Sequence, residues 1–248
     1  MTGGIICVML LLAAPGAQRT AAAEPDGRLI VEAMEYPWSA IGRVNAGGRG
    51  HCTGFLVGPR HVLTAAHCLY NAVEGRWWGA NELHFVAGYQ RDQVLIHSPV
   101  SGYEASPAFD PKAGPGPENA VADWAVLRLE APIGRQAGWL GLRVPDPALL
   151  AELDAGRARL FQAGYRSGRA HAMTANPDCH LVGVFAEGRG LAHDCPVFHG
   201  DSGSPLLAFL DGRPVALGIQ VLRVESGGSV VAGAVSMAVL DADAALRS

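Results

Sequence analysis

Short apolar stretches separated by glycine and proline are the feature that most constrains the fold of this chain. The 248 residues include 32 glycines and 16 prolines, which fits many turns between short strands better than a helical bundle. Residues 106–118, with four prolines and two glycines, predict a surface loop. Strands are predicted at residues 39–44, 53–57, 62–64, 84–87, 94–97, 124–129, 159–165, 180–185, 205–209, 215–222 and 229–236. We therefore expect an all-β protein.

Helical signals are few. Residues 240–247 (LDADAALR) predict a short C-terminal helix, with an acidic residue near its first turn. Residues 146–156 fit either a helix or an irregular loop, and the sequence leaves this choice open.

Composition and charge exclude several classes of protein. Hydrophobic residues make up 49% of the chain and charged residues 17%, so a large core is available and global disorder is excluded. The formal net charge is −4, from 19 basic and 23 acidic side chains, so the chain has no basic excess to neutralise a nucleic acid. We expect neither nucleic acid nor a membrane as a partner of the mature protein.

The N-terminus has the pattern of a secretory leader. The apolar run Ile5–Ala14 is too short for a membrane span, and Ala21-Ala22-Ala23 provides a small-residue cleavage site before Glu24. The first four residues contain neither Lys nor Arg, which leaves a buried strand or a start site assigned too far upstream as alternatives. We predict that residues 1–23 are a signal peptide and that the protein is secreted, either extracellular or periplasmic.

Four cysteines remain after the leader, which itself contains Cys7. An even count in an exported chain predicts two disulfides, and four cysteines allow three connectivities. Cys52 and Cys68 lie 16 positions apart, as do Cys179 and Cys195, so local pairing would close two loops of similar length. A metal site is disfavoured because no C-x-x-C pattern accompanies these thiols.

The segment Leu63-Thr-Ala-Ala-His67-Cys68 is the first of three motifs that carry chemistry. A hydroxyl nucleophile needs a rigidly held base whose pKa lies near the working pH, and imidazole usually serves. His67 follows an apolar strand and precedes a cysteine expected to form a disulfide. We predict that His67 is a general base, although the chain contains eight other histidines.

Asp123, in Val121-Ala-Asp-Trp-Ala-Val-Leu127, is the second motif. A carboxylate directly before an apolar strand is costly to bury unless it accepts strong hydrogen bonds. An imidazole N–H is a suitable donor, and the contact would fix the imidazole tautomer. The alternative is an ordinary turn aspartate at the start of a strand.

Gly200-Asp-Ser-Gly-Ser-Pro205 is the third motif. Glycines on both sides of Ser202 allow a tight turn in which amide N–H groups converge near the hydroxyl, as an oxyanion hole requires. A polar hairpin turn is the alternative, because Gly, Asp and Ser are common in turns.

Together these motifs resemble the trypsin-like, chymotrypsin-fold serine peptidases, in particular their secreted bacterial branch. The order His, Asp, Ser is the family's order, and the resemblance extends over about residues 36–239. It implies two packed six-stranded antiparallel β-barrels: residues 24–134 would carry His67 and Asp123, and residues 135–248 would carry Ser202. It also implies a serine endopeptidase that forms an acyl-enzyme, with the N–H groups of Gly200 and Ser202 as oxyanion hole.

The resemblance also bears on disulfides, cofactors and partners. The family links the cysteines at the positions of Cys52 and Cys68, and we predict the local pairs Cys52–Cys68 and Cys179–Cys195. Polypeptides would be the substrates and a monomer the working form. No cofactor or metal is implied, since Asp110 and Glu118 are too few and too scattered for a calcium site.

The specificity positions depart from the family pattern. The residue six before the nucleophile is Pro196, so the carboxylate that usually selects Arg or Lys is missing. His199 and Arg223 either give the pocket a positive lining, which would favour acidic side chains, or point to solvent. Pro196, His199 and Arg223 are therefore the predicted specificity residues.

Asp201 raises the question of activation. In zymogens of the family the equivalent carboxylate pairs with a new amino terminus, released by cleavage after a basic residue. Arg28, followed by Leu29-Ile-Val31, is a conceivable cleavage site, but the Ile-Val-Gly-Gly signature is absent. The sequence leaves the mature terminus open between Glu24 and Leu29.

Two other functions remain open on the same fold. A catalytically silent binding or adhesion module would reuse the barrels, although silent relatives commonly lose the triad. An esterase with the same three residues would share the mechanism and differ only in its substrate.

Overall fold

The computed structural model describes residues 24, 26–48, 50–114, 116–226 and 229–241. The predicted signal peptide, residues 1–23, lies outside the described residues. The all-β prediction is confirmed, because strands dominate both halves of the chain. No helix in the described ranges has the length and apolar character needed to cross a membrane.

The first half forms a closed six-stranded barrel in the order β2-β3-β4-β9-β8-β7. Its inward-facing positions are apolar, and Ile41, Phe55 and Leu127 are completely buried. Alternation along the strands puts these residues inside. The strands of this half are β1 (Leu29–Ile30), β2 (Ile41–Ala46), β3 (Gly50–Leu56), β4 (His61–Thr64), β5 (Tyr70–Asn71), β6 (Arg76–Trp77), β7 (Leu83–Gln90), β8 (Gln93–Ala105) and β9 (Ala125–Leu129).

The second half and the strand β1 from the first half together form a nine-stranded sheet in the order β1-β12-β11-β15-β16-β17-β14-β13, with β10 pairing in parallel with β16. Only His180 separates β12 from β13, so the two form one bent strand. Because β12 and β13 lie near opposite ends of the sheet order, this bent strand closes a six-stranded barrel with β11, β15, β16, β17 and β14. The strands β1 and β10 are additions to this barrel. The strands of this half are β10 (Gly141–Leu142), β11 (Leu160–Gly164), β12 (Thr174–Cys179), β13 (Leu181–Phe185), β14 (Gly190–His193), β15 (Pro205–Leu210), β16 (Arg213–Ser226) and β17 (Ser229–Ser236).

Short helices connect and close the barrels. The open choice at 146–156 resolves as a helix, because the Asp146 side chain accepts a hydrogen bond from Leu149 N at 2.9 Å and Pro147 occupies the first turn. The C-terminal helix begins earlier than predicted, at Met237, and residues 242–248 lie outside the described residues. The α-helices are α1 (Pro117–Val121), α2 (Gly134–Ala137), α3 (Pro147–Asp154) and α4 (Met237–Asp241), and the 3₁₀ turns are Trp38–Ala40, Ala66–Leu69, Ala80–Glu82, Ser167–Arg169 and Ala186–Gly188.

Side chains at the seam hold the two barrels together. The Tyr165 hydroxyl donates to Tyr89 O and accepts from Tyr89 N, both at 3.0 Å. Thr53 Oγ1 donates to Gly200 O at 2.7 Å and accepts from Tyr165 N at 3.0 Å. Since these partners are more than 70 positions apart in the chain, they fix the relative position of the cleft walls.

Candidate active site

His67 lies in the 3₁₀ turn Ala66–Leu69, directly after the buried strand β4. The adjacent Cys68 is disulfide-bonded to Cys52 in β3, with an S–S distance of 2.09 Å. The backbone of His67 is therefore anchored on both sides, by the barrel strand and by the disulfide. A second disulfide joins Cys179 and Cys195 in the other half.

Asp123 holds His67 through two contacts. Asp123 Oδ1 accepts from His67 N at 2.8 Å, and Asp123 Oδ2 lies 2.5 Å from His67 Nδ1. Because an ionised carboxylate only accepts hydrogen bonds, Nδ1 carries the proton in the neutral ring and Nε2 is left with a free lone pair. Asp123 is 5% exposed, as a carboxylate satisfied by such donors can be.

The environment of His67 acts on its pKa in two opposing directions. Burial lowers the pKa, while the charge of Asp123 and the hydrogen bond to it raise it. The net result is a pKa above the ordinary value of 6.5. The imidazolium form is therefore stabilised, as a base that takes up a proton during a reaction requires.

Ser202 lies in a turn that contains two positions with a backbone conformation suited only to glycine. Gly200 and Gly203 have φ angles of 92° and 81°. A Cβ at Gly200 would come within 2.3 Å of Tyr165 O, and one at Gly203 within 2.2 Å of Thr53 O. The turn is therefore pressed against β3, where Thr53 N donates to Ser202 O at 2.9 Å.

His67 and Ser202 line the same cleft between the barrels, with a volume of about 670 Å³. Within the described residues, Ser202 Oγ and His67 Nε2 form no hydrogen bond, and the N–H groups of Gly200 and Ser202 have no protein acceptor. The cleft is lined by His67, Ser167, Val197, Phe198, His199, Ser202, Gln220, Val221, Leu222 and Arg223.

The three predicted specificity residues have different positions. His199 and Arg223 both line the cleft, and the Arg223 side chain is 41% exposed and ion-paired with Glu225. Pro196 is exposed and does not belong to the cleft lining. Its carbonyl instead accepts hydrogen bonds from Arg28 Nη1 and Asn176 Nδ2.

Sequence reasoning missed a buried polar pair behind the cleft. Gln220 lines the cleft, and its Oε1 lies 2.6 Å from Nε2 of the fully buried His193. Gln220 Nε2 donates to Leu222 O at 2.8 Å, so the orientation of the amide is fixed. The available signal was a glutamine within the apolar run Ile219–Leu222.

A second missed pair lies beside the nucleophile. Arg28 and Asp201 are both fully buried and form an ion pair with an Nη1–Oδ2 distance of 2.6 Å. Their separation of 173 positions explains why no local pattern indicated this contact.

The described part of the chain contains one cluster of potential metal ligands, and this cluster is unsuitable for a metal ion. Among the described residues, only Cys52, His67 and Cys68 bring three potential ligand atoms within 4.8 Å of one another. Both sulfurs belong to a disulfide and cannot serve as thiolates. In the loop weighed for calcium, Asp110 Oδ1 accepts from Lys112 N and Glu118 pairs with Arg189.

Comparison with known proteins decides the family. Residues 52–217 match the family described as trypsin-like peptidase domain. The chain belongs to this family. The match includes His67, Asp123 and Ser202.

Individual relatives of this trypsin-like peptidase domain are distant. Glutamyl endopeptidase of Bacillus licheniformis is 24% identical over 217 residues, which cover 87% of this chain and 63% of that protein. The chain thus spans less than two thirds of that relative's length. The cercarial protease of Schistosoma mansoni is 26% identical over 218 residues, with 75% of each chain covered.

A solved structure confirms the fold. The structure titled "Structure of Glu endopeptidase in complex with MPD" superposes with a TM-score of 0.70 and 18% identity, covering 88% of this chain and 95% of that one. At this identity the likeness shows the fold alone, which is the two-barrel fold that the sequence predicts.

Proposed function

We propose that the chain is a secreted serine endopeptidase that hydrolyses polypeptides through an acyl-enzyme intermediate. The observation that carries the proposal is the His67–Asp123 pair, which orients the imidazole in the cleft that Ser202 also lines. Family membership supports the same reaction class. The two disulfides and the leader-like N-terminus support export to an oxidising compartment.

Each group has a defined role in this reaction. Ser202 Oγ attacks the scissile carbonyl while its proton passes to His67 Nε2, and Asp123 stabilises the resulting imidazolium. The N–H groups of Gly200 and Ser202 donate to the oxyanion of the tetrahedral intermediate. His67 then returns the proton to the leaving amine, and a water molecule, deprotonated by His67, cleaves the acyl-enzyme in the second half of the cycle. The working form is a monomer that needs no cofactor.

Covalent labelling tests the nucleophile. An organophosphonate should label the protein without its leader on Ser202, as located by peptide mass spectrometry, and abolish hydrolysis of casein. Ser202→Ala should lower kcat by about 10⁶-fold, because the triad acts as a unit.

Ser101→Ala is the matched control, since this exposed serine on β8 donates only to Arg128 O. The proposal is wrong if Ser202→Ala keeps the full rate. Absence of labelling and turnover would favour the silent binding module, and turnover restricted to esters would favour the esterase.

We further propose a preference for acidic side chains at the cleaved bond. His199 and Arg223 line the cleft, and the lining residues in the described part of the chain include no carboxylate. Glu225, the ion-pair partner of Arg223, is not one of the lining residues. Glutamyl endopeptidase among the relatives supports the same preference. A positive lining favours a negatively charged side chain through charge-assisted hydrogen bonds.

Cleavage-site profiling on a proteome-derived peptide library measures this preference. Wild-type protein should cleave mainly after Glu or Asp, and Arg223→Gln should lower kcat/KM at these bonds by about tenfold, the scale of one charge-assisted hydrogen bond. Arg213→Gln, an exposed arginine at the other end of β16, should leave the profile unchanged. A profile dominated by neutral or basic residues would contradict the preference.

A further inference from the structure

The side chain of Arg28 is fully buried, and each of its two terminal nitrogens donates two hydrogen bonds. Nη1 donates to Asp201 Oδ2 at 2.6 Å and to Pro196 O at 3.3 Å. Nη2 donates to Asp201 Oδ1 at 3.1 Å and to Thr174 O at 2.9 Å. These four donations match the geometry of a bidentate arginine–carboxylate pair with two additional carbonyl acceptors.

Asp201 connects this arginine to the loop that carries the nucleophile. Asp201 Oδ2 also accepts from Phe198 N at 3.0 Å, and Asp201 N donates to Phe198 O at 3.0 Å. Ser204 N donates to Asp201 O at 2.9 Å. Residues 196–204 are therefore wrapped around one buried ion pair, with Gly200 and Ser202 on either side of Asp201.

The segment before Arg28 is attached to the same region. Glu24 Oε2 accepts from Arg169 Nε at 2.8 Å and from Arg166 Nη2 at 3.2 Å. The Arg166 guanidinium lies 5.2 Å from the ring centroid of Phe198, which lines the cleft. After Arg28 the chain continues into β1, where Leu29 pairs with Ala175. Residues on both sides of the Arg28–Leu29 bond are thus anchored beside the candidate active site.

This arrangement leaves no place for a new amino terminus at Asp201. In the family's zymogens that terminus is the cation that pairs with the equivalent carboxylate, but here both carboxylate oxygens are occupied by Arg28. Cleavage after Arg28 would require a buried residue to leave its partners. It would also separate the guanidinium from the strand that positions it, and an unpaired buried carboxylate would remain.

We propose that Arg28 is a positioning residue that takes the place of the activating amino terminus and holds the 196–204 loop so that the Gly200 and Ser202 N–H groups face the cleft. The chain is therefore active with Arg28 attached, and cleavage after Arg28 inactivates it. This inference rests on the proposed peptidase function and assigns the regulation of the same site.

The first test identifies the amino terminus of the active molecules. The secreted protein is labelled with a tagged organophosphonate, captured, and analysed by intact mass and N-terminal sequencing. We expect every labelled species to retain Arg28. Labelled species that begin at Leu29 or later overturn this inference but leave the proposed function intact, whereas failure of Ser202 to label at all removes the proposed function.

The second test separates positioning from stability. Arg28→Met should lower kcat by about 10²- to 10³-fold, the effect of losing one oxyanion donor, with KM changed only a few-fold. Rates are normalised to the folded fraction measured by circular dichroism, so a purely structural role would leave the normalised kcat unchanged. Arg28→Lys keeps the charge and should recover part of kcat.

Arg143→Met is the matched control, because Arg143 is exposed and pairs with Asp146 at the surface. Its kcat should equal that of the wild type. A normalised kcat for Arg28→Met equal to the wild type overturns the inference. If Arg28→Met does not fold, the first test alone decides whether the inference holds, because it determines whether labelled wild-type molecules retain Arg28.

Discussion

At the scale of single residues, the balance of charge and burial at His67 determines how activity depends on pH. Burial lowers the pKa of His67, but the charge and hydrogen bond of Asp123 raise it above 6.5. Only the neutral imidazole can accept the Ser202 proton. We therefore expect kcat/KM to rise with pH and to reach half its maximum above pH 6.5, as measured from pH 5 to 9 on a peptide substrate.

Asp123→Asn tests the cause of this shift. The variant loses the charge that raises the pKa of His67 while burial remains, so the midpoint of the pH profile should move below that of the wild type. Turnover should fall by about 10⁴-fold, because an asparagine also permits the wrong imidazole tautomer. Asp146→Asn, at an exposed surface pair, should change neither quantity. An unchanged midpoint in Asp123→Asn would show that Asp123 does not control the titration.

At the scale of secondary-structure elements, the strands that sequence reasoning found are those with a strong local pattern. The predicted residues 62–64 and 205–209 lie within β4 and β15, where apolar side chains are bounded by turn residues. The strand β12 (TANPDC) has no such pattern. It forms because β11 and β1 pair with it on both sides, while a register shift opposite Leu160–Gln162 leaves Pro177 outside the regular ladder.

The same contrast holds for the candidate site. The three motifs are short and local, so the sequence alone could single out His67, Asp123 and Ser202 as candidates. The structure brings His67 into contact with Asp123 and into one cleft with Ser202. The partners Arg28 and Asp201 are 173 positions apart, and the local sequence around neither residue indicates that it pairs with the other. Contacts of this kind arise only when β1 reaches across to the second sheet, which depends on the whole topology.

At the scale of the whole molecule, histidines whose pKa values are lowered in the folded state couple the stability of the fold to pH. Burial lowers the pKa values of four histidines, His51, His61, His84 and His193. In the unfolded chain these groups take up protons near pH 6.5, whereas in the folded protein they do so only at lower pH. Their contribution to the free energy of unfolding is therefore fully present above pH 6.5 and is lost as the pH falls through the folded-state values.

His193 should dominate this loss of stability in acid. It is completely buried, and burial lowers its pKa to about 4 even though the hydrogen bond to Gln220 opposes the shift. The difference from the ordinary value corresponds to about 3 kcal/mol of stability lost between pH 6.5 and 4. His193→Gln removes the titration and keeps an N–H donor for Gln220 Oε1. Urea unfolding across this pH range should therefore show a shallower decline in the variant.

His180→Gln is the control for this experiment, since His180 is exposed and pairs with Asp194 at the surface. Its free energy of unfolding should fall with pH as steeply as that of the wild type. For each variant, the free energy of unfolding at pH 4 is subtracted from that at pH 6.5. A loss of packing at position 193 that lowers stability equally at both pH values therefore does not affect the comparison. If His193→Gln declines as steeply as the wild type, the acid sensitivity of the molecule arises elsewhere than in the buried His193–Gln220 pair.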